Sequence, residues 1–502
     1  MKNLTTSIPL YPGTTNAQEK GSLLNNKIKS VALAAVLSLA IGGVGSISAD
    51  AATKKPTAKP AAKKPAAKKP AAKKPAAKPV PVAATTEVQK EITALKASGK
   101  KFTYWGGLIF SELSNAAEEA QIKAWGVARG IPVDVQMVNQ NNTVAQVTAA
   151  LAAGTMPDAL DMGSSLMLQL GSKNLLNVQS IVDDIGKRDG GWTEGAAQFD
   201  EKTYVGKGLG VPYGVTGNII FRRLDLLKAA GAKTTAPETW EDLMEAATKT
   251  MKVGGAGFAL GNVGDAEGTF RAQFASYGGR YADDAGKKCT IDSPATRDFL
   301  AFVKKWYDKG AYSPSAVTND GGWDNNLYIG GKTVFIMNTG SVNITQLNGS
   351  AAWPKSDALT AQAKNTGFSA LPAGPKLRAA PADGVLRVIP KSTKYPELAK
   401  DLIRYLMEKR NMQEYLEYAI YGPVLKGYTF SYWKEPGHLS GLFELANASR
   451  GAAWPDVNNA AFGAFGTGFN LSKMVQRHII DGDSADKTIK EAQAVCQTLY
   501  DK

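Results

Sequence analysis

An α/β fold built on a largely parallel sheet is what this sequence predicts, and three observations carry that expectation. Apolar runs of strand length alternate with helix-period segments from residue 102 to residue 162. The chain has 502 residues, too many for one compact domain and suited to two or three. Hydrophobic residues make up 44% of it and charged residues 21%, with nine Trp, seventeen Tyr and sixteen Phe, which supplies cores and excludes wholesale disorder.

The elements follow in order. Phe102–Phe110 reads as a strand, Ala116–Ala128 as an amphipathic helix and Val133–Val138 as a second strand. Thr143–Ala153 is a helix and Pro157–Met162 a short buried strand. Such alternation implies parallel strands with crossover helices. In open parallel sheets the ligand sits beyond the carboxyl ends of the strands. Trp105-Gly106-Gly107 and Gly163-Ser164-Ser165 follow two of these strands, so Trp105, Gly106 and Ser164 are candidate ligand contacts.

The formal charge of +14 belongs to a tail. Residues 54–78 hold ten Lys and no acid, and the body beyond them is nearly neutral. Lys27-Ile28-Lys29, the apolar run Ser30–Gly45 and the small residues to Ala49-Asp50-Ala51 read as a cleaved secretory signal peptide over residues 1–51. The alternative is an uncleaved anchor, for which the run is short and rich in Gly and Ala. The mature protein is then expected in a periplasm or otherwise outside the cytoplasm. Pro60-Ala61-Ala62-Lys63-Lys64 recurs at 65 and 70, so residues 52–86 read as a disordered, extended tether. It is either a solvated spacer or an element that binds an anionic cell-envelope surface. Export makes nucleic acid a poor partner. Cys289 and Cys496 either form a disulfide in an oxidising compartment or remain buried thiols.

His438 and His478 are the only histidines. A His-rich metal site is therefore impossible, and both are read as structural or surface residues. H-E-x-x-H, G-x-S-x-G and P-loop patterns are missing, and Ser431-Tyr-Trp-Lys434 matches S-x-x-K without its companion motifs. No catalytic residue, metal or cofactor is expected.

The most specific stretch is Gly208-Leu-Gly-Val-Pro212-Tyr-Gly-Val-Thr-Gly-Asn218-Ile-Ile-Phe, then Leu224–Gly231, then Pro237-Glu-Thr-Trp240-Glu-Asp-Leu243. A Gly-rich reversal leads into a buried strand, a helix stops at Gly231, and Thr239 caps the next helix with Asp242 at the capping-box position. The stretch resembles the signature of family 1 extracellular solute-binding proteins, the sugar-binding components of ABC importers, maltose-binding type included. Leu327–Ser341, Leu371–Ser392 and Tyr395–Pro423 resemble the same family in the expected order, as does the end, Gly482–Ala492.

The resemblance covers residues 100–502. It implies a two-lobed periplasmic-binding-protein-like fold, each lobe an open, mostly parallel sheet flanked by helices, joined by a multi-strand hinge. Residues 87–213 and 384–425 would form the first lobe, and 214–383 with 426–502 the second. The chain would cross near Pro212–Asn218, near Ala380–Val385 and after Pro423. A monomer would then close on a small carbohydrate and dock on a membrane ABC permease.

A sugar offers hydroxyl edges and apolar C–H faces, which call for flat aromatic surfaces and convergent polar groups. Trp105, Trp323, Trp454 and Tyr213 are the aromatic candidates, with Trp433 behind them. Trp240 and Trp306 read as core, and Trp192 as either. Asn218, Asp265, Asp324, Asn338, Ser341 and Asp383 are the polar candidates. Val342 stands where the family often has an aromatic, which weakens a maltose-like stacking stripe. Asp265, Glu267, Asp324 and Asp383 keep open a polyamine or other non-sugar solute on the same fold. Readings of other classes are an exported glycan-active enzyme with paired carboxylates and an envelope-associated structural protein.

Overall fold

The computed structural model describes residues 83–197, 208–261, 263–317, 321–435, 437–449 and 451–502. The signal-peptide assignment at 1–51 and the tether through residue 82 lie outside them. The tether's drawn end at residue 86 is a correction: helix Thr86–Ser98 begins there, with the Thr85 hydroxyl accepting from the Val88 amide. Val88, Ile92 and Leu95 are buried, and the Glu91 carboxylate accepts from the Leu398 amide at 2.8 Å, so this segment packs into the body.

Among the described residues, eight strands form two sheets. They are β1 (Phe102–Leu108), β2 (Val133–Asn139), β3 (Ala159–Gly163), β4 (Val211–Gly217), β5 (Ile219–Arg223), β6 (Phe335–Asn338), β7 (Thr366–Ser369) and β8 (Ala382–Val388). The first sheet has the order β2-β1-β3-β8-β4. β1 runs parallel to β2 and β3, while β8 lies antiparallel between β3 and β4. In the second sheet, β6-β5-β7, both pairings are antiparallel, and parallel bridges join Ala256 to Tyr312 and Phe335 and Thr239 to Ala373.

The helices end where their sequences say they should. Glu112–Arg129 starts four residues before the expected Ala116 and stops at Gly130, and Thr143–Ala153 stops at Gly154, both glycines with positive φ. Helix Trp240–Lys249 opens with the capping box, Thr239 and Asp242 each accepting from the other's amide.

Two bodies result. Under the first sheet, Phe102 meets Trp125 edge-on at 5.2 Å, and the Trp125 indole donates to Asp401 at 2.7 Å. Around the second, Trp240, Phe258, Phe270, Phe299 and Trp306 share one apolar core. A disulfide, Cys289–Cys496, ties helix Ala485–Tyr500 into that core. The chain passes from first sheet to second at Asn218, between β4 and β5, and returns between β7 and β8. Gly422 exchanges backbone hydrogen bonds with Val215 at 3.2 and 2.8 Å, and the chain beyond it reaches helix His438–Ala448, which packs against β4, β5 and β7.

Candidate functional site

Both sheets present loop and strand ends to one cavity of about 380 Å³. That lies near the lower end of small-molecule pockets, which run from about 300 to 1,000 Å³. The first sheet contributes Gly107, Asp161 and Tyr213, with Asp383 and Val385 from β8. The second side contributes Asn218, Asp265, Arg271, Asn338 and Ser341.

The floor on the first side is a buried charged cluster. Asp161 takes a 2.5 Å hydrogen bond from the Tyr104 hydroxyl and one from the Gly107 amide at 3.3 Å. Arg387, fully buried on β8, lies 3.0 Å from Glu118 and 3.7 Å from Asp161, and its guanidinium sits 4.4 Å over the Tyr213 ring. One cation thus serves two carboxylates in a dry setting. Burial and the nearby Asp161 charge push the Glu118 carboxyl well up, with Arg387 opposing.

The second side is an amide-carboxylate network. The Asn338 amide donates to Asn325 at 2.7 Å and to Asp324 at 3.4 Å, and the Ser341 hydroxyl donates to Asn325 at 3.2 Å. Burial, then the charge of Asp265, push the Asp324 carboxyl well up. Gly340 has φ of 126°, and a Cβ there would lie 2.1 Å from the His438 ring, so only glycine permits this turn. Phe469, on the cavity wall, is the one non-glycine residue with positive φ among those described, at 52°. Strain of that kind clusters at functional sites.

Between the sides, Asp383 accepts from the Gly384 amide at 2.9 Å and, in a shorter bond, from the Ser164 hydroxyl. Its other oxygen is 3.5 Å from Arg271 on helix Gly264–Ser276. Burial raises the Asp383 carboxyl and Arg271 opposes that rise.

The structure distributes the sequence candidates unevenly. Tyr213, Asn218, Asp265, Ser341 and Asp383 line the cavity. Trp105 does not, because β1 runs on to Leu108 and holds it inside the strand against the apolar core. Gly106 is backed by Met137, leaving Gly107 on the wall. Ser164 stands behind Asp383 as its donor. Trp323 opens helix Trp323–Ile329 and donates to Ser315 at 3.0 Å, off the wall. Asp324 lies behind Asn325. Trp454 is 39% exposed and away from the cavity lining. Trp433 is buried in a stack with Phe430 rather than in a loop. Trp240 and Trp306 are core. His438 is buried and His478 half-buried.

Arg271, Tyr421, Ser165 and Phe469 line the cavity and escaped the sequence reading. Gly264, Gly268 and Arg271 fall on one helix face by their spacing, and nothing else in the sequence marks Arg271. Among the described residues no group of three or more His, Cys, Asp or Glu could hold a metal, and no helix is long and apolar enough to cross a membrane.

Residues 120–440 match the model of a family described as bacterial extracellular solute-binding protein. A comparison with curated proteins returned no match. Among solved structures, a sugar transporter from Arthrobacter chlorophenolicus A6 with bound laminaribiose is 17% identical, covers 80% of this chain and 99% of its own, and gives a TM-score of 0.68. Maltose-bound MalE3 of T. maritima is 20% identical over 80% and 99%, with a TM-score of 0.64. UgpB from Mycobacterium tuberculosis, in complex with glycerophosphocholine, is 20% identical over 80% and 98%, with a TM-score of 0.63. These likenesses concern the two-lobed fold.

Proposed function

We propose that this chain, which belongs to the bacterial extracellular solute-binding protein family, captures a small carbohydrate between its lobes and delivers it to a membrane ABC permease. The observation that carries the reading is the cavity itself: it draws Asp383 and Tyr213 from one sheet and Asn218, Asp265, Asn338 and Ser341 from the other side. A polyhydroxylated solute is what such a wall can hold, because carboxylates and amides pair with hydroxyls while Phe110 and Tyr421 offer ring surface. Closure would turn about the chain passages beside Asn218 and between β7 and β8, where few residues need change conformation. The lobes of this reading are residues 87–213 with 384–425, and 214–383 with 426–502, the limits at 213 and 383 falling within β4 and β8 beside those passages. The chain acts as a monomeric receptor without catalysis.

In the same reading, residues 1–51 direct export and are cleaved, and the Lys-rich segment spaces the receptor from, or holds it to, an anionic envelope surface. A polyamine is the second reading, favoured by four carboxylates on the cavity wall. Titrating mono- and disaccharides and polyamines while following melting temperature and small-angle scattering tests both. A sugar should raise the melting temperature by mass action and shrink the radius of gyration. Stabilisation by polyamines alone would transfer the site to the second reading.

A further inference from the structure

The cavity wall carries an uneven charge set. Asp161, Asp265, Glu267 and Asp383 line it, and Arg271 is the one cation among the described lining residues. Arg387, beneath the floor, is already shared by Glu118 and Asp161. Arg271 is closely held. Its side chain is 13% exposed, its guanidinium lies 5.3 Å from the centre of the Phe462 ring, and Asp383 faces it at 3.5 Å. Gly466 presses from helix Ala460–Thr467, where a Cβ would stand 3.2 Å from Nη2. Glu267 adds a second attraction while it caps helix Asn470–Ile479 through the Ser472 amide at 3.0 Å. The buried Arg271 Nε has no hydrogen-bond partner among the described residues. Such a group costs free energy until something accepts from it.

We propose that Arg271 sets the charge class of the solute: neutralised by Asp383 and Glu267, its guanidinium donates to an oxygen of an uncharged saccharide, while the surrounding carboxylates refuse the uronate or phosphate form of the same sugar. A cation with no acid beside it would attract an anion. Here the carboxylates outnumber it, and an anionic solute would enter a like-charged, poorly hydrated space. The inference rests on the carbohydrate reading and narrows it.

The test is calorimetric titration of the full chain with matched sugars: glucose against glucuronate and glucose 6-phosphate, galactose against galacturonate, and maltose against maltose 6′-phosphate. The neutral member of a bound pair should bind at least tenfold more tightly. Asp383→Asn removes one refusing carboxylate and frees Arg271, so that preference should narrow at least threefold. Arg271→Gln should lower affinity for the neutral sugar at least tenfold, with a cooperative unfolding curve confirming the fold. If that variant does not fold, the Asp383→Asn ratio decides alone. An acidic sugar bound as tightly as its neutral partner, or a ratio that Asp383→Asn leaves unmoved, overturns the inference and leaves the carbohydrate reading standing. Binding of no sugar in the panel overturns both.

Discussion

Replacing His438 with Asn separates a proton effect from a packing effect. His438 opens helix His438–Ala448, lies against Gly340, and shares a 2.8 Å hydrogen bond between its Nδ1 and Asn343. Burial alone pushes its imidazole down to about 3 from 6.5. With the folded value depressed, the unfolded chain binds the proton more readily between those limits, so His438 contributes stability above pH 6.5 that is lost as pH falls towards 3. Linkage puts the loss at pH 5, relative to pH 8, at about 2 kcal/mol. The carboxyls of Glu118, Asp324 and Asp383, raised mainly by burial, tilt the other way, losing stability as pH rises above the usual carboxylate range. The wild-type profile therefore mixes opposite slopes, and only its difference from the variant isolates the histidine. Asn keeps a polar partner for Asn343 and cannot titrate. By urea unfolding with an unchanged m-value, His438→Asn should be less stable than wild type at pH 8 by about 1–2 kcal/mol, the scale of a partly vacated core site. From pH 8 to pH 5 the difference should move by about 2 kcal/mol in the variant's favour, leaving it as stable as wild type or slightly more so. Parallel stability profiles from pH 5 to 8 would refute the buried neutral imidazole.

Four further expectations follow from the same geometry. Trp240→Ala empties a fully buried indole site beside Phe258 and should destabilise the fold by about 3–5 kcal/mol in denaturant titration, with sugar affinity of the folded fraction kept. Arg387→Met strands Glu118 and Asp161 without their cation, which should cost about 3–5 kcal/mol at pH 8 and less at pH 5, as protonation removes the orphaned charge. Replacing both Cys289 and Cys496 with Ser opens a loop of 207 residues; the chain-entropy ceiling is about 5 kcal/mol, and a melting temperature unaffected by the change would remove the disulfide from the stability account. Changing Trp105, Trp323 or Trp454 to Phe should alter sugar affinity by less than about 1 kcal/mol, whereas Tyr421→Ala, on the cavity wall, should cost about 1–3 kcal/mol in calorimetry.

Much of the fold was legible because its signals are local. The Thr239–Asp242 box, the glycine stops at 130 and 154 and the strand-helix alternation each act within a few residues, and the structure realises them where they stand. The direction of the second sheet was not legible. Whether β5 pairs parallel or antiparallel depends on partners more than a hundred residues away, and an apolar run such as Ile219-Ile220-Phe221 suits either. The start of the body was drawn one residue late for a related reason: Ala83-Ala84-Thr85-Thr86 carries no apolar pattern, and the helix is anchored only further on, where the Glu91 carboxylate accepts from the Leu398 amide.

The site was harder, and Trp105 shows why. The run Phe102–Phe110 reads as a strand, and Trp105 is nonetheless assigned to the ligand loop after it; β1 pairs with β2 from Phe102 to Leu108 and holds Trp105 within the strand. One strand's true length therefore decides whether an indole is a binding surface or a wall of the core, and composition does not fix that length. Asp383 and Arg271 make the complementary case. Asp383 could be picked out as a carboxylate in a hinge motif, but nothing in its neighbourhood of sequence names a partner 112 positions earlier. That pairing exists only once β8 is inserted between β3 and β4 and helix Gly264–Ser276 faces it across the cavity. Recognition chemistry in a two-lobed protein is assembled from opposite bodies, so local sequence can nominate the individual groups while the charge balance that selects a solute emerges from their juxtaposition.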